Sequence, residues 1–156
     1  MRDAGTQDRE GWRRAGTAAL FVAGAWLFLA VFFDFYYDLN DDTAMRDILS
    51  GIYTGTPNGH NIQMLYPLGW CIAMCYRLLA SVPWYGIFLC GCQFLALWLS
   101  VSTVLTYVKG REKQSAAALL LTLGGLAVAV YEFVFIQYTV TAGLLVCGAL
   151  VRLYCG

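Results

Sequence analysis

Charge is scarce in this 156-residue chain: Asp, Glu, Lys and Arg make up 13% of it, ten acids against ten bases. A net charge of zero gives no electrostatic footprint for nucleic acid, and that class of partner is set aside. Histidine is down to a single residue, His60. The six cysteines lie almost all in apolar stretches, unlike the loop spacing of a disulfide framework. Cys71 and Cys75 have no nearby His or carboxylate to complete a metal set, so the cysteines read as small packing residues. There is no internal repeat, low-complexity tract or linker, and the chain reads as one domain. No A-x-A-like cleavage site follows the first apolar run, which favours an uncleaved anchor over a signal peptide.

Apolar residues fill the space that charge leaves. They form 60% of the chain, with five Trp, ten Tyr and nine Phe, far from the composition of an ordinary soluble domain. Residues 15–33, 78–108, 114–131 and 133–151 carry no charge at all. Crossing a bilayer takes roughly 20 apolar residues in a helix. An all-α polytopic protein of about four spans follows, multi-pass in the plasma membrane. A short cytoplasmic tail (1–14) precedes one transmembrane domain (15–156).

Positive charge sets the orientation. Arg2, Arg9, Arg13 and Arg14, the loop holding Lys109, Arg111 and Lys113, and Arg152 all belong on the cytoplasmic side. These assignments agree only if "MLYPLGWCIAMCYRLLA" (64–80), broken by Pro67 and Gly69, lies on or re-enters the outer face. A five-span arrangement, with Lys109–Lys113 outside, is the alternative. In the four-span arrangement residues 37–83 and a turn near 136–138 share the outer side.

The outer loop (37–63) concentrates acid. Asp38, Asp41, Asp42 and Asp47 follow directly on the first apolar run. Asn40 or Asp41 can cap a helix near 42–52, with acids favourable in its first turn. Met45, Ile48, Leu49 and Ile52 recur at helical spacing, opposite Asp42, Arg46 and Ser50, as in a short amphipathic helix at a membrane surface. "TGTPNGHN" (54–61) is a turn-rich stretch. Adjacent carboxylates beyond a span end can serve as a general base or bind a hard divalent cation. The structural alternative is that Asn40-Asp41-Asp42 only caps the helix.

The order of parts is a span, an outer loop with "NDD" (40–42), an amphipathic helix, then "LYPLGW" (65–70). It resembles the start of GT-C glycosyltransferases such as protein O-mannosyltransferases and the aminoarabinose transferases of lipid A. "LYPLGW" is similar to their "PPL" segment, with Tyr66 in place of the first Pro, and "NDD" sits where they keep a first-loop acidic residue. The resemblance covers about residues 15–150. It implies transfer of a sugar from a polyprenyl-phosphate carrier at the outer face, with Asp41 and Asp42 as base or metal ligands. In such families a second polar position follows the third span. "YEFVFIQYTVT" (131–141), with Glu132 and Gln137, occupies that place. Since GT-C enzymes carry more spans, the chain is expected to be the N-terminal part of a longer enzyme or a shortened product.

The remaining polar residues keep two readings each. Arg77 fits a lipid phosphate bidentately or snorkels to headgroups. His60, beside Tyr66 in the substrate-binding set, is equally an exposed loop residue. Glu132 is functional by default inside a membrane, or sits at the interface. Trp84-Tyr85 reads as an interfacial pair without chemistry. The alternative function, from another class, is a small non-catalytic membrane protein that binds lipid, packs against other membrane subunits or serves a transporter.

Overall fold

Uncharged runs can satisfy their backbone in lipid only as helices or closed barrels, and here they are helices. The computed structural model describes residues 4–155. Its elements are α1 (Ala4–Phe32), β1 (Tyr36–Tyr37), α2 (Asn40–Ser50), α3 (Tyr66–Leu78), α4 (Trp84–Val104), α5 (Arg111–Val134), β2 (Phe135–Ile136) and α6 (Tyr138–Cys155). Four helices are long and apolar enough to cross a membrane: Arg9–Phe32 within α1, and the whole of α4, α5 and α6. The chain is an all-α polytopic helical protein. Its α3 has 13 residues, about 20 Å at ~1.5 Å per residue, against a hydrocarbon core of roughly 30 Å. That helix is too short for the fifth crossing of the alternative arrangement.

Two differences from the sequence-based expectation concern helix ends. The expected tail, from Ala4 on, already belongs to α1. The N-cap of α2 is Leu39, not Asn40 or Asp41, and no side chain caps it. Instead Asp41 and Asp42 occupy the first turn, where the helix dipole favours them. The helix closes at Gly51, whose left-handed φ of 85° suits glycine. A Cβ there would also run into the backbone of Thr56 and Pro57.

A direction can be assigned to each span from its cross-links. Strands β1 and β2 pair in parallel, Tyr36 with Phe135 and Tyr37 with Ile136. Each directly follows a span, so α1 and α5 run the same way and end at the same side. At the opposite end Arg13 donates to Gln114 (3.3 Å) and the indole of Trp98 donates to the Ala15 carbonyl (3.0 Å). There too the Tyr107 hydroxyl donates to the carbonyl of Cys155. Helices α4 and α6 therefore run antiparallel to α1 and α5. This is the four-span order read from charge, with α2 and α3 layered over one end.

Close approach in lipid depends on small residues. Helix α6 packs along α4 through Gly148, where a Cβ would stand 2.7 Å from the Ala96 carbonyl oxygen. Large apolar side chains such as Leu20, Leu27, Leu120, Val128 and Leu153 are left exposed on the outer faces of the spans, as hydrocarbon permits. The core under α2 and α3 joins Met45 and Leu49 to Ile72, Tyr76, Tyr85, Leu89 and Ile136.

Candidate functional site

The loop after α1 and the turn between α5 and α6 meet at the α2–α3 end of the bundle, and Asp42 is where they join. Its Oδ1 accepts from the Tyr85 hydroxyl (2.8 Å) and from the backbone N–H of Tyr138 (2.9 Å). Three segments far apart in sequence are thereby tied to one oxygen. The side chain is 2% exposed. The expectation that Asp42 faces outward with Arg46 and Ser50 is corrected: it lies on the Met45–Leu49 side of α2, because two donors satisfy it there. Burial pushes its carboxyl above the ordinary carboxylate range, and Asp41 and Asp38 add repulsion. The hydrogen bonds from Tyr85 and Tyr138 offset only part of this.

Asp41, one residue earlier, is half-buried. Its Oδ2 accepts from the Gln63 side chain at 3.0 Å, so the loop before α3 orients it. Asp38 accepts from the Tyr131 hydroxyl (2.9 Å), and its N–H donates to the Ile136 carbonyl (3.2 Å). These contacts bring the two polar positions of the sequence to one lip.

The other expected residues sit as follows. The Arg77 guanidinium donates to the Pro57 carbonyl (3.0 Å), bracing the turn at 54–61. His60 is exposed, rests its ring against Tyr66 with centroids 4.2 Å apart, and donates its backbone N–H to the Asn58 side-chain oxygen. Glu132 and Gln137 flank the α5–α6 turn, both partly buried. The Glu132 carbonyl accepts from buried Gln93 (2.9 Å), and the Gln137 carbonyl accepts from Thr141. The first group, Arg77 with His60 and Tyr66, lies on the α3 side. Glu132 and Gln137 belong to the lip with Asp38 and Asp42.

Adjacent helical residues point about 100° apart, so Asp41 and Asp42 do not converge on one point. Among the described residues no group of three His, Cys, Asp or Glu is placed to hold a metal ion.

Several residues of this lip were not singled out from sequence for chemistry. Tyr85 is fully buried rather than interfacial, and its N–H donates to the Tyr76 hydroxyl (3.1 Å), which satisfies an open donor at the start of α4. Tyr37 stacks on Tyr85 with ring centroids 5.6 Å apart, and burial raises its phenol above the ordinary value. Arg46 lies over the Tyr37 ring, 5.7 Å from its centroid. Its Nε is 2.7 Å from Asp47, without the alignment of a hydrogen bond. Tyr37 and Arg46 stand nine residues apart on separate elements, so only the folded chain reveals this pairing.

Fold and lip together define the class, a four-span helical membrane protein with an acidic platform at one end. Compared with known proteins, the chain matches no family model, no curated protein and no solved structure.

Proposed function

We propose that the chain belongs to a plasma-membrane glycosyltransferase that takes sugar from a polyprenyl-phosphate donor at the extracytoplasmic face. The observation that carries the reading is the junction at Asp42, where the first-loop acids meet the α5–α6 turn. Positive-inside charge puts that end of the bundle outside. Asp41, half-buried and oriented by Gln63, is the base. It takes the proton of an acceptor hydroxyl as the acceptor oxygen bonds to the sugar's anomeric carbon. The bond from that carbon to the phosphate breaks, and polyprenyl phosphate leaves with the electron pair. Asp42 holds the platform together and fixes Asp41 beside it.

A second reading is favoured by a separate observation. Asp38, Asp41 and Asp42 all accept hydrogen bonds from the protein, as loop-stabilising groups do. On this reading the chain is a non-catalytic membrane protein that binds lipid or a membrane subunit. Membranes carrying the protein, supplied with a labelled polyprenyl-phosphate sugar, separate the two. Release of polyprenyl phosphate above membranes lacking the protein is expected for a transferase, and release at the background rate contradicts it.

A further inference from the structure

Between α1 and α4 runs a groove of about 560 Å³, inside the range of small-molecule sites, roughly 300–1,000 Å³. Among the described residues no charged side chain lines it, and its wall includes the rings of Trp26, Phe35, Tyr37 and Phe94. Ile87 and Gly91, on its α4 side, are exposed, so it opens toward hydrocarbon. Beside α4 it extends from Pro83 to Phe94, about 17 Å at ~1.5 Å per residue. Its mean section is then about 30 Å², against about 80 Å² for a helix roughly 10 Å wide. A further helix does not fit there, whereas a flat ring or a single chain does.

Two donors on residues of this wall lack acceptors. The Tyr37 hydroxyl makes no hydrogen bond among the described residues, and it stands 3.1 Å from where a Cβ on Gly86, also in the wall, would lie. Burial raises the phenol above its ordinary value, so it remains a proton donor rather than an anion. The indole N–H of Trp26 is likewise buried without a partner among the described residues. Buried polar groups are normally paired, and open donors call for acceptor oxygens on the occupant. An anionic head is disfavoured by repulsion from Asp34 and Asp38, which flank Phe35 and Tyr37 in the chain. Aromatic side chains also take a flat ring in offset or edge-to-face contact. We propose that the groove binds a neutral membrane quinone, its ring among these aromatic side chains and one carbonyl oxygen accepting from the Tyr37 hydroxyl. Asp41 is not part of this wall, and the site stands whether or not a sugar is transferred.

The test is quenching of tryptophan fluorescence by decylubiquinone in nanodiscs holding the purified chain, with decylbenzene and dioleoylglycerol as competitors. Wild type should quench to a plateau, and Trp26→Phe should lower the fraction quenched. Tyr37→Phe keeps the ring and removes the donor, and it should weaken binding about threefold to tenfold, the scale of one neutral hydrogen bond. Gly91→Leu fills the groove from a position where a Cβ meets nothing within 4 Å, and it should remove the plateau. Decylbenzene, which lacks carbonyls, should compete poorly, and so should dioleoylglycerol, whose ester carbonyls come without a ring. Thermal unfolding checks that each variant folds, and if Gly91→Leu unfolds, Tyr37→Phe carries the comparison. Quenching that rises without a plateau, as by simple partition into the bilayer, overturns the proposal. So does unchanged affinity in folded Tyr37→Phe, or an unchanged fraction quenched in Trp26→Phe. Displacement by dioleoylglycerol at equal concentration overturns it as well, by assigning the groove to an acyl lipid.

Discussion

Substitutions at Asp42 distinguish the oxygen it supplies from the charge it carries. Asp42→Ala removes the acceptor and leaves the buried Tyr85 hydroxyl and the part-buried Tyr138 N–H without a partner. Each orphaned buried group costs about 1–3 kcal/mol, so a loss of about 2–6 kcal/mol is expected. Asp42→Asn keeps Oδ1 in place and removes the charge that burial disfavours. It should fold within about 1 kcal/mol of wild type at neutral pH. The pH dependence has a definite sign. The carboxyl is raised in the folded state above its ordinary 3.8, so its contribution is complete below that value and fades as pH rises through the folded value. Wild type should therefore lose stability relative to Asp42→Asn from about pH 4 upward. Thermal unfolding in nanodiscs from about pH 4 to 8, followed by tryptophan fluorescence, reads both effects. An Ala variant as stable as Asn would refute the two-donor account. Wild type gaining on Asn with rising pH would refute the burial argument.

Three further outcomes follow from the geometry. With the native cysteines replaced, single cysteines at 58 and 137 should react with an impermeant maleimide from outside and one at 112 only from inside; outside labelling at 112 would contradict the four-span order. Gly148→Leu should force α6 away from Ala96, whose carbonyl oxygen a Cβ would approach to 2.7 Å, and cost about 1–3 kcal/mol in thermal unfolding. Tyr85→Phe should cost about 1.5–3 kcal/mol by removing a charged hydrogen bond in the core, whereas Tyr131→Phe, at an exposed residue, should be close to silent by the same assay.

The spans were legible because lipid leaves so little freedom. A run without charge long enough to cross must be a helix, and Lys109, Arg111 and Lys113 then orient the rest. The turn-rich stretch and the break at Pro67 likewise marked where α2 ends and α3 begins. What stayed hidden is the inward face of the lip. Asp42 follows the polar period of α2 in sequence, yet it is buried because Tyr85 and Tyr138, 43 and 96 residues away, supply its donors. Tyr85 looks interfacial beside Trp84 and Pro83, but its hydroxyl finds a carboxylate instead of water. Nothing local encodes either contact. The kink in α5 at Ala129, with a non-helical φ of −123°, lies in a run without proline, and we have no physical account of it. The meeting of the two acid-bearing regions was legible, since parity of spans alone puts both on one side.

The most direct measurement of the central claim is the rate at which Asp41→Asn releases polyprenyl phosphate from a labelled polyprenyl-phosphate sugar, compared with wild type in the same membranes. Asn keeps an oxygen for Gln63 to hold but is a far poorer base. General-base work is worth about 10²–10⁴ in rate. The account predicts a loss of that size with an unchanged unfolding temperature, and turnover equal to wild type would contradict it.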